Sequence, residues 1–174
     1  MKQLINTILK AGSLFLLIAV VFTAVCQQQK SDPSVELKPV VDQFINIWND
    51  GNLEDLDAII DPSFVRTENE APEVSGLEGL KKVMTGYRTA YPDIKIVSEE
   101  EIYAENKATV RWRFTGTNSG PGEIPPTGIK VEFWGETILH FSNGKLTAEI
   151  VAFDQRPVLE QLGYTITPPV FDKK

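Results

Sequence analysis

The chain has 174 residues, 42% hydrophobic and 24% charged, the proportions of one globular domain with an extension. Its formal net charge of −7 disfavours phosphate backbones, so no nucleic-acid partner is expected. Cys26 and His140 are the only residues of their types, which excludes an intramolecular disulfide and a Cys-His zinc site; no Gly-rich phosphate loop or G-x-S-x-G elbow is present, and neither metal nor cofactor is called for.

Lys2 and Lys10 precede a continuous apolar run from Leu14 to Val25, shorter than the roughly 20 residues a membrane-spanning helix needs. Residues 1–26 therefore read as an export segment. Its end, Thr23-Ala24-Val25-Cys26 before a polar stretch, resembles a bacterial lipoprotein signal with Cys26 as the lipid attachment residue. An uncleaved anchor and simple secretion are the alternatives. Residues 27–33 would be a tether, residues 34–164 the folded domain and residues 165–174 a tail. The expected location is the cell envelope, with a lipid holding the domain to the membrane on the periplasmic or exterior side.

Asp32-Pro33 suits the start of a helix, with proline at its first position. Leu37, Val41, Phe44, Ile45 and Trp48 then recur at helical spacing until Asn49-Asp50-Gly51. A second helix is expected from the cap Asn52, with Leu53, Leu56, Ile59 and Ile60 buried and Asp61-Pro62 as its stop. Ser63–Thr67 reads as a short extended piece and 68–74 as an acidic, solvated loop. Ser75-Gly76-Leu77-Glu78 reads as a capping box before a third helix that carries Leu77, Leu80, Met84, Tyr87 and Tyr91. From Ile94 the period changes to two, giving strands over 94–103, 108–117, 130–141 and 145–153. Residues 119–128, SGPGEIPPTG, are too rich in proline and glycine for regular structure. Across strands, Glu101 is a candidate partner for Arg111 or Arg113. Helices first and a meander afterwards predict an α+β domain: a cone-shaped roll, three N-terminal helices packed on a strongly curved, mainly antiparallel sheet.

The segment Thr137–Gly163 carries the sharpest chemical lead. It reads as a strand, a tight Asn143-Gly144 turn, a returning strand and a short helix stopped by glycine. At the two-residue period Leu146, Ala148, Ile150 and Ala152 share one face, and Asp154 is the next position on it. A carboxylate there either caps the following helix or sits in a dry cavity with a raised pKa. The turn decides where His140 faces. A two-residue Asn143-Gly144 loop sets His140 on the outer face opposite Thr147, whereas a three-residue Ser142-Asn143-Gly144 loop with a glycine bulge sets it beside Asp154.

The order of elements resembles the nuclear transport factor 2-like cone, and the local motifs are similar to its SnoaL-like polyketide cyclase, or ester cyclase, branch. The matching pieces are residues 49–57, Gly76–Gly79, Tyr91–Ile94, Arg111-Trp112 before Gly116-Thr117, Pro126–Gly128, Gly144–Leu146, Asp154 and Gln161–Gly163. In that branch Arg66-Thr67 stand where a histidine often follows the short extended segment. Asn118 likewise replaces a usual histidine, and Ala148-Glu149-Ile150 a usual Glu-His-Trp run. The resemblance implies cofactor-free acid/base chemistry, with Asp154 as the catalytic carboxylate and His140 as a pocket residue.

The expected site is thus Asp154 and His140 as catalytic groups, with Trp48, Tyr87, Trp112, Asn118 and Trp134 as ligand-binding residues around an apolar pocket. The bland readings are a helix cap for Asp154, a surface strand position for His140 and ordinary core packing for the aromatics. Two functions stay open. One is a cyclase-, isomerase- or ester-acting enzyme on a small hydrophobic carbonyl compound; the other is a non-catalytic module binding a small apolar molecule. A homodimer through the outer sheet face is a third expectation.

Overall fold

The computed structural model describes residues 32–165 and residue 167. The export segment, Cys26, residues 27–31 of the tether and most of the tail lie outside the described residues. Among the described residues no helix is long and apolar enough to cross a membrane, and no group of three or more acidic, histidine or cysteine side chains is placed to hold a metal ion.

Helix α1 spans Pro33–Asp50 and buries Leu37, Val41, Phe44, Ile47 and Trp48. Ile47 takes the central place expected of Ile45, which is half-buried. The helix end is closed by Arg88, whose guanidinium donates to the carbonyls of Trp48 at 2.9 Å and Asn49 at 2.8 Å. The expected second helix is cut short: one 3₁₀ turn, Leu53–Asp55, leads into α2, Leu56–Ile59, and the Asn52 side chain makes no cap bond. Ile60 turns extended because it pairs with a strand from the far end of the domain, so strand β1 runs Ile60–Glu68. A short β2, Val74–Ser75, precedes α3, Gly76–Ala90, with Leu80 and Met84 buried. The capping box does not form, since the Ser75 hydroxyl turns back to Glu73 at 3.4 Å.

Strands β3 (Lys95–Ala104), β4 (Lys107–Thr117), β5 (Lys130–Ser142) and β6 (Lys145–Phe153) follow, then the short α4, Gln155–Gln161. The expected α+β architecture is present as four helices on one six-stranded, curled and unclosed sheet of order β2-β1-β6-β5-β4-β3. It is mixed: β1 and β6 run parallel, every other pair antiparallel. The loop after β4 is tied down at Gly120, whose amide donates to Ala90 O and whose Cα faces Thr89 O so closely that an added Cβ would sit 1.8 Å from it.

Two bulges correct the strand faces. Near the Asn143-Gly144 turn the two-residue loop holds, with Phe141 opposite Leu146. The next pair is His140 with Ala148, so Thr147 is an extra residue in β6, and its hydroxyl donates to His140 O at 3.3 Å. Neither register weighed from the sequence includes that residue. Beyond it every side chain changes face: Glu149, Val151 and Phe153 point inward, and Ala148, Ile150 and Ala152 outward. In β3 the unpaired residue is Glu99, which carries both Arg111 and Arg113 at 3.1 and 2.6 Å, while Glu101 turns to Lys38 on α1 at 3.0 Å.

The Thr147 bulge gives a direct test. Deleting Thr147 removes the extra residue and leaves plain alternation with Leu146, Glu149 and Val151 all still inward, so a cooperative thermal transition is expected to persist, and its loss would count against this bulge. Thr147→Ala keeps the residue count and loses one partly exposed hydroxyl bond, so a cost of about 1 kcal/mol or less is expected by denaturant titration.

Candidate functional site

A cavity of about 60 Å³, partly open to solvent, lies between α1 and the inner face of the sheet. One wall is a run of rings in contact. Trp48 meets Tyr87 edge-on at 5.7 Å, Phe114 stacks on Phe133 at 4.6 Å, and Trp112 packs edge-on against Phe133 and Phe153 at 6.0 and 6.1 Å. Trp112 can lie across the sheet because Gly135 is opposite it; a Cβ at Gly135 would come within 2.4 Å of the indole. Its Nε1 donates to Thr137 Oγ1 at 2.9 Å.

Charged side chains, Arg66, Glu68 and Glu149, line the same cavity among its mainly apolar residues. Arg66 and Glu149, each only 4% exposed, are directly opposed on the parallel strands β1 and β6. The Arg66 guanidinium donates to Glu149 through Nη1 and to Glu68 through Nη2, and lies 5.6 Å from the centre of the Trp48 ring. Tyr87 Oη donates to Glu68 Oε1 at 2.7 Å. One cation therefore faces two carboxylates in a dry place. Burial pushes the Glu149 carboxyl above the usual carboxylate range, against the opposite pull of Arg66. Burial would lower the Arg66 guanidinium, but Glu149 and Glu68 outweigh it and hold it above its ordinary value. Burial and then Glu68 raise the Tyr87 phenol.

Trp48, Tyr87 and Trp112 line the cavity, and the other four candidates lie outside it. Asp154 is exposed and caps α4, its Oδ1 accepting from Arg156 N at 2.9 Å, so it faces water instead of the enclosed hollow. His140 is half-buried on the outer side of β5, where the two-residue turn puts it. Trp134, 48% exposed on that same outer side, lies under the Arg111 guanidinium at 4.5 Å. Asn118 is buried but structural: its Oδ1 accepts from Thr127 N and Oγ1 at 2.8 and 3.0 Å, clamping the loop. Sequence reasoning missed Arg66, Glu68, Glu149 and Thr137. The sequence reads Glu68 as part of a solvated acidic loop, whereas its side chain is 18% exposed. The signal available was a charge in the middle of each of two β-runs, at Arg66 and Glu149.

Four helices packed on one curled, unclosed, six-stranded mixed sheet match the nuclear transport factor 2-like cone fold. Residues 38–162 match the SnoaL-like polyketide cyclase family, and the chain belongs to it. Among solved structures, the chain is similar to AclR of Streptomyces galilaeus, a candidate hydroxylase, with 26% identity over 78% of this chain and 89% of that one and a TM-score of 0.67. A candidate polyketide cyclase from Bacillus cereus ATCC 10987 shares 27% identity over 74% and 80%, TM-score 0.62. A candidate SnoaL-like polyketide cyclase from Jannaschia sp. CCS1 shares the fold at 20% identity over 82% and 99%, TM-score 0.71. No curated protein matches the sequence.

Arg66→Met keeps the volume and leaves two carboxylates without their cation. We expect a loss of about 3–5 kcal/mol at pH 8. The loss should shrink toward pH 5, where the freed carboxyls can take up protons. Urea denaturation at the two pH values checks this, and equal losses would argue against a charged cluster.

Proposed function

We propose that the domain performs cofactor-independent proton transfer on a small carbonyl compound, with Glu149 as the acid/base group. The observation that carries this reading is the crowding of two carboxylates onto the one buried guanidinium of Arg66, inside a cavity with aromatic walls. Such a cluster holds one negative charge more than it can balance, so one carboxyl binds a proton at a higher pH than a free glutamate does. Membership of the SnoaL-like polyketide cyclase family supports chemistry of this type. Asp154 takes no part in the step. A volume of about 60 Å³ is well under half of the ~150 Å³ that admits a benzene ring, so the reacting part of the substrate has about three or four non-hydrogen atoms.

Exchange of the methyl hydrogens of acetone in D₂O, followed by proton NMR, tests the reading. The base is the carboxylate form, and burial raises its pKa. The rate should therefore climb with pH through a midpoint above the usual carboxylate range and level off beyond it. Glu149→Gln should lower the rate by about 100-fold or more, and Asp154→Asn should leave it within about twofold. Tight ligand binding with no exchange at any pH would favour the non-catalytic binding module instead.

We also propose that the domain is exported and held to a membrane by a lipid on Cys26, on the strength of the basic and apolar pattern of residues 1–26. Cys26→Ser should move the protein from the membrane fraction to the soluble one; retention in the membrane fraction would sink lipidation as the anchor.

A further inference from the structure

Thr137 is buried at 5% exposure, lines the cavity, and accepts the Trp112 Nε1–H at 2.9 Å. An indole N–H can only donate, so this contact uses a lone pair of the threonine oxygen and leaves the hydroxyl hydrogen to be placed elsewhere. Among the described residues that hydrogen has no acceptor. A hydroxyl that accepts one bond and donates none has a donor to spare, which a water or a molecule entering the cavity can use. Trp112 fixes the direction of the donor, and Gly135 fixes Trp112.

Thr137 stands opposite Val151, and Glu149 is two residues along the same face of β6. Diagonal neighbours of this kind are about 7–8 Å apart, which leaves room between the two side chains for a carbonyl group and the carbon beside it. We propose that Thr137 is a further catalytic residue, the donor that receives the carbonyl oxygen of a small carbon acid while the adjacent carbon faces Glu149. This rests on the proton-transfer reading above and names its substrate class. In the step, the C–H bond next to the carbonyl breaks and its proton passes to the Glu149 carboxylate. The electron pair moves onto the carbonyl oxygen, which becomes an enolate oxygen held by the Thr137 O–H. Return of the proton from Glu149 to carbon regenerates the carboxylate. The hydrogen bond strengthens as charge gathers on oxygen, so Thr137 acts more on the transition state than on the bound ketone.

The test uses acetone labelled with ¹³C at the carbonyl, bound to the full chain and followed by infrared difference spectroscopy beside the exchange assay. In the wild type the carbonyl band should move to lower wavenumber than in an apolar solvent. Thr137→Val should return it upward and slow exchange by about tenfold to hundredfold, mainly in kcat. Thr137→Ser keeps the donor and should preserve both. The wild-type band stands by itself should the valine variant fail to fold. Acetone that does not bind, a band unshifted in the wild type, or a band and rate indifferent to Thr137→Val would overturn the assignment, water then being the partner of the hydroxyl. A shifted, Thr137-dependent band without exchange would keep the donor and reject the proton-transfer reading. Exchange lost in Glu149→Gln but intact in Thr137→Val would do the reverse.

Discussion

Arg66 and Glu149 are 83 residues apart in sequence and directly opposed in the sheet, and the interior of this domain is arranged around their contact. Taking a guanidinium and a carboxylate out of water costs several kcal/mol per ion, so neither could stay buried without the other. The parallel pairing of β1 with β6 brings them together. That pairing also places Glu68 at the rim, where it shares the same cation and takes the Tyr87 hydroxyl. A purely hydrophobic pair at these positions would close the layer equally well. Charges here make the cavity a place where a proton has more than one position to occupy.

Bulges determine which side chains take part. Because alternation along a strand has a period of two, one extra residue exchanges inside for outside over everything that follows. Thr147 does this in β6, turning Glu149 inward and removing Asp154 from the face that Leu146 begins. Glu99 does it in β3, turning Glu101 from the arginines of β4 toward Lys38 on α1. Both bulges sit where a plain ladder would have put hydrophobic and charged faces differently, and both aim a carboxylate at a cation on another element.

The aromatic wall follows a different logic. Trp48, Tyr87, Phe114, Phe133, Trp112 and Phe153 come from α1, α3, β4, β5 and β6, and their edge-on and stacked contacts fill the concave side without closing it. The two with polar tips, Tyr87 and Trp112, pass them to Glu68 and Thr137 respectively. Rigid rings thereby hold a carboxylate and a hydroxyl in fixed directions, which is the condition for preorganised chemistry on a small molecule.

Local periodicity was enough to determine α1, α3 and four strands to within about a residue at each end, because each depends on neighbours a few positions away. The motif order carried the family, and the apolar surroundings of Trp48, Tyr87 and Trp112 marked them as inward-facing. What only the tertiary structure decided was the parallel neighbour of β6, the two bulges and hence the identity of the buried acid. A strand of alternating residues has two faces that look equivalent until a partner chooses between them. Here the partner is β1, whose Arg66 lies across from Glu149, and that choice depends on contacts no local pattern records.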